Sequence, residues 1–72
     1  MKVQNIGSNM TQVEGKDVTV LVSYETPVAA LTQDGFIRTS KKWSVTTSKH
    51  INKWLAGAKA VEVDQSVLDN LL

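Results

Sequence analysis

Seventy-two residues leave room for one domain with a thin core, and 42% hydrophobic with 21% charged residues is the balance of a chain that folds rather than a disordered polyelectrolyte. The absence of cysteine excludes disulfides, a single histidine leaves no plausible metal-ligand set, and the formal net charge is only +1. That total hides three blocks: residues 1–34 carry Lys2 and Lys16 against Glu14, Asp17, Glu25 and Asp34, residues 36–59 carry Arg38, Lys41, Lys42, Lys49, Lys53 and Lys59 with no acid, and the tail carries Glu62, Asp64 and Asp69.

Met1 to Asn9 has a positive charge but no apolar run, so no signal peptide is expected, and no uncharged stretch approaches the roughly 18 apolar residues of a membrane span. The absence of cysteine suits a reducing compartment, and the expected location is the cytoplasm. Met10 to Val13 followed by Glu14-Gly15-Lys16-Asp17 predicts a short strand and a turn. Val18, Val20, Val22 and Tyr24 then alternate with Thr19, Leu21, Ser23 and Glu25, the period of a half-buried strand that pairs back in a hairpin. Pro27 marks a strand start or a bend, because it has no N–H to give to a ladder. Val28 to Thr32 continues extended to Asp34-Gly35, a type I′ turn signal that would set Leu31 opposite Arg38.

Ile51, Trp54, Leu55 and Ala58 fall on one face of a helix predicted at about 47–57, leaving Lys49, His50, Asn52 and Lys53 on the other. Thr46, Thr47 or Ser48 would cap its start, and Gly57 would end it in a left-handed conformation. Val61 and Val63 predict a short strand at about 60–63, and Asp64 a cap for a short helix at about 64–72. The expected fold is a single α+β domain over residues 1–72: about four antiparallel strands in hairpins, a main helix, a short strand and a C-terminal helix.

Catalytic chemistry finds little to work with. His50 has only hydroxyls and lysines near it in sequence, the carboxylates are scattered singly, and the four glycines stand alone, so no enzyme, cofactor or metal site is expected. Binding is better served. Arg38, Lys41, Lys42, Lys49 and Lys53 are suited to phosphates, and Trp43, where the chain approaches the helix, to stacking on a base. The alternative surface is the apolar stripe of Val67, Leu68, Leu71 and Leu72, or a free edge strand, meeting another protein or a second copy of this chain.

Tyr24-Glu25-Thr26-Pro27-Val28-Ala29-Ala30, then Asp34-Gly35, Arg38-Thr39 and Trp43-Ser44-Val45-Thr46-Thr47-Ser48-Lys49-His50-Ile51-Asn52-Lys53-Trp54-Leu55, resembles small uncharacterised proteins encoded by bacteriophages and related mobile elements. The likeness spans roughly residues 23–72 and brings no assigned activity or binding residue with it. It implies a compact accessory protein in the cytoplasm of an infected cell, where such proteins commonly bind nucleic acid or block a host protein.

Overall fold

The computed structural model describes residues 2–72. Five strands form an antiparallel meander: β1 (Lys2–Gly7), β2 (Met10–Glu14), β3 (Thr19–Ser23), β4 (Thr26–Thr32) and β5 (Gly35–Thr39). Helix α1 (Val45–Leu55) crosses over to β6 (Ala60–Val63), which lies parallel to β5, and the short helix α2 (Gln65–Asp69) follows. The sheet is therefore six-stranded and mixed, in the order β1-β2-β3-β4-β5-β6, where about four antiparallel strands were expected. The strand that the pattern hid is β1. It is an edge strand whose first four residues are exposed, so Lys2, Gln4 and Asn5 interrupt any alternation. Polar side chains of this kind also guard a free edge against unwanted pairing.

The two helices cover opposite faces of the sheet. Leu21 and Ala29 pack with Met10, Val28, Ile51 and Leu55 under α1, while their chain neighbours Val20 and Ala30 pack with Leu68 under α2. Strand β3 is therefore buried on both faces rather than half-buried, with Leu21 0% exposed and Val20 1%. Burying side chains of this size contributes about 1.5–3 kcal/mol each. Ala29 and Ala30 are both fully buried. Their small side chains sit where a helix covers the sheet from either side. Pro27 stands at an irregularity: Leu21 pairs with Ala29 but Val22 with Pro27, so Val28 bulges out of the ladder. The bulge turns Val28 and Ala29 into the same cluster, which a regular strand would have divided between faces.

The β4–β5 register is Leu31 opposite Phe36 and Thr32 opposite Gly35, two residues away from the expected pairing. Of the turn residues only Gly35 has positive φ (+114°), whereas a type I′ turn through Asp34-Gly35 would need two. The Thr32 hydroxyl steadies the alternative, donating to Gly35 O at 2.9 Å and accepting from Asp34 N. A slip of two keeps every side chain on its face, which is why the core pattern survives it.

Helix α1 starts earlier than expected because Ser44, not Thr46, Thr47 or Ser48, is its cap; the Thr47 N–H donates to Ser44 Oγ at 3.1 Å. It ends at Leu55, with Ala56 left-handed (φ 52°) ahead of Gly57 (φ 88°), so Ala58 falls outside the helix and is exposed. Strand β6 matches the expected 60–63, while α2 is confined to Gln65–Asp69 within the expected 64–72. Among the described residues no helix is long and apolar enough to cross a membrane.

Candidate functional site

Strand β5 delivers the chain to a five-residue connection ahead of α1, and three hydrogen bonds pin its course. Ser40 N donates to Val63 O at 2.8 Å, Lys41 N donates to Thr39 Oγ1 at 3.1 Å, and Ser44 is held by its capping of α1. Because the connection bends away between β5, β6 and the start of α1, it walls a concavity of about 680 Å³. Arg38, Lys41, Lys42 and Trp43 line it, with Ser48 from the first turns of α1 and Glu62 from β6. Arg38 and Glu62 are paired positions on neighbouring strands, so the floor of the hollow is of mixed charge and the connection carries the excess of positive charge.

Trp43 is 41% exposed and yet fixed. Its Nε1–H donates to Gln65 Oε1 at 3.2 Å, and Gln65 Nε2 donates to Pro27 O at 2.7 Å and to Asp69 Oδ1 at 2.9 Å. The Lys41 ammonium lies 4.1 Å from the ring centroid, a cation–π contact worth about 0.5–1 kcal/mol at an exposed site. A smaller hollow of about 230 Å³, lined by Tyr24, Thr26 and Thr47 among others, also has Trp43 in its wall. The indole therefore borders both hollows. Beside it, the Ser66 hydroxyl donates to Asp64 Oδ2 at 2.6 Å and holds that carboxyl below the ordinary carboxylate range.

The six residues expected to meet phosphate divide into two groups. Arg38, Lys41, Lys42 and Trp43 come together in the concavity. Lys49 and Lys53 do not: at 100° per residue they project from the side of α1 opposite Thr47, Ile51 and Leu55, and both are exposed. Arg38 links the groups, since its Nη1 donates to Asn52 Oδ1 on α1 at 3.4 Å. Of the C-terminal stripe, Leu68 is fully buried and Leu71 packs against the same cluster, leaving Val67 (43%) and Leu72 (57%) as the exposed members.

Other partners are invisible to linear reasoning. His50, expected on the open side of the helix, is half-buried, and its Nδ1 shares a 2.8 Å hydrogen bond with Ser23 Oγ on β3. Ser23 Oγ also lies 3.2 Å from Thr47 Oγ1, to which Ser44 Oγ donates at 3.3 Å. The result is a polar seam along one side of the α1–sheet contact. Ser23 is 2% exposed and lies in the wall of the smaller hollow. Likewise Trp54 is a core residue, its Nε1–H donating to Gln12 Oε1 at 2.9 Å and its ring edge-on to Phe36. Among the described residues no three His, Asp or Glu side chains converge to hold a metal ion.

A small α+β domain, a mixed six-stranded sheet clasped by one long and one short helix with a partly basic hollow at the start of the long one, is the class these features define. The chain belongs to the family of unknown function DUF8033, which matches residues 1–70. No curated protein and no solved structure matches it.

Proposed function

We propose that the protein works by binding and not by catalysis, and that its partner is nucleic acid held in the concavity between β5, β6 and α1. The observation that carries this reading is that Arg38, Lys41 and Lys42 line one concavity with an exposed, hydrogen-bonded Trp43. Cations supply affinity for phosphate, and an aromatic face supplies stacking that tolerates any base. The resemblance to phage-encoded accessory proteins fits this reading and the second one below equally, and suggests a host cytoplasm as the setting. Fluorescence anisotropy with labelled DNA and RNA at roughly 50 mM salt tests it. Binding should weaken with salt at a log–log slope of about −0.7 to −0.9 per phosphate contact, and Lys41→Glu or Lys42→Glu should each weaken it about tenfold. Absence of binding to every single- and double-stranded probe would overturn the proposal.

A second reading is a protein-binding module or an inhibitor of a host protein, acting through an edge strand or the C-terminal stripe. Its support is that β1 ends the sheet with Val3 66% exposed. Strand addition to such an edge is a recurring mode of recognition. Capture of a host protein, or self-association, that survives high salt and nuclease but is lost on Val3→Lys would favour it over the first.

A further inference from the structure

We infer that the concavity takes a single strand, with one unpaired base lying against Trp43, and that duplex is not its ligand; the inference rests on the nucleic-acid reading above. A base inside a duplex is already stacked on its neighbours and offers the solvent only its edges and the backbone, so it has no face to give to an indole. An unpaired base has two. The site presents a stacking surface set in a hollow rather than a ridge or helix made to enter a groove. At about 680 Å³ it lies within the usual size range of pockets for small ligands, which suits a nucleotide or two and not a double helix.

Three details of Trp43 fit this use. Its edge is tied down by Gln65, which is itself tied to the β4 backbone at Pro27, so the ring is oriented before any ligand arrives. Pre-organisation of this kind removes part of the cost of binding. One ring face carries the Lys41 ammonium, a contact that favours the occupied position only about 2- to 5-fold at an exposed site. Stacking a base is worth about 5- to 150-fold, so an incoming base displaces the ammonium, which then stands beside the phosphate that follows. Finally, Glu62 on the floor, beside Arg38, repels phosphate and leaves the Lys41–Lys42 side as the path for the backbone. Duplex binding would instead draw on the outward face of α1, where Lys49 and Lys53 lie a turn apart and no aromatic side chain stands between them.

The two modes predict different variants to be silent. Anisotropy titrations at roughly 50 mM salt with a mixed-sequence oligonucleotide of about 12 nucleotides and its duplex should show the single strand bound at least about tenfold tighter. Trp43→Ala should cost about 5- to 150-fold in single-strand affinity, Trp43→Phe should restore most of it, and Lys49→Glu with Lys53→Glu should cost less than either concavity lysine. Circular dichroism of each variant separates loss of binding from loss of fold. Equal or tighter binding of duplex, or a folded Trp43→Ala that binds single strand normally, would overturn the single-strand inference and leave phosphate binding standing. No binding of either probe by the wild-type protein would remove both.

Discussion

Helix α1 meets the sheet through Thr47, Ile51 and Leu55 and through the Ser44, His50 and Ser23 hydrogen bonds, whereas α2 has five residues and a single fully buried side chain, Leu68. The first contact is spread over three turns and mixes apolar with polar anchors. The second centres on Leu68, with Leu71 packed beside it and one hydrogen bond from Gln65 to Pro27 O. A helix as short as α2 has no stability of its own, so its position is a property of the sheet beneath it. Yet α2 carries Gln65, the residue that orients Trp43. The candidate site therefore depends on the shorter of the two helices, and a fault in packing on one face of the sheet reaches a side chain that belongs to the other.

Leu68→Ala is the sharpest way to break this comparison. It should destabilise the fold by about 2–5 kcal/mol in chemical denaturation, a large part of what a 72-residue domain possesses. In whatever fraction stays folded, Trp43 emission should move to the red as Gln65 is released. If the denaturation midpoint barely shifts, α2 is anchored by more than this leucine. Next in size is Ser44→Ala, which removes the cap of α1 and one link of its polar seam. It should cost about 1 kcal/mol and lower Tm by about 4–8 °C, without moving Trp43 emission as far as Leu68→Ala does.

The smallest effect is expected at Asp64. Its folded-state carboxyl titrates below the ordinary range because Ser66 donates to it. The ionised form is therefore the one favoured by folding, and its contribution is present above the unfolded pKa and lost as pH falls through the depressed folded value. Because the group is exposed, the stability change should be slight, and NMR titration is the measurement that sees it. Ser66→Ala should move the Asp64 midpoint upward, and an unmoved midpoint would remove Ser66 as its cause.

The elements most legible in the sequence were those whose side chains divide cleanly between core and water. Ile51 and Leu55 announced α1 in this way, whereas Val61 and Val63 marked β6 within its true bounds even though Val61 is 67% exposed. Strand β1 was hidden because an exposed edge has no buried side to create a pattern. The β4–β5 register escaped because Asp34-Gly35 signals a turn but not which two residues occupy its centre. At the candidate site, Arg38, Lys41, Lys42 and Trp43 were legible as a group because they are nearly contiguous in the chain. Lys49 and Lys53 looked like members of the same group until helical rotation carried them to the outer face of α1. Glu62, Gln65 and Ser23 come from distant strands and helices, and no local pattern marks a partner that only the folded topology supplies.

The parallel pairing of β5 with β6 bears on when the concavity exists at all. Each hairpin of the meander closes over a short turn, but Phe36 can meet Ala60 only after the whole of α1 has been laid down between them. Contacts so far apart along the chain carry the heavier loop-closure penalty and repay it late. Opening from the C-terminal end would detach Gln65 from Trp43 and Glu62 from Arg38 in one event, while the hairpins beneath remained intact. The hollow is a product of the finished molecule, and a chain that has only begun to come apart has already lost it.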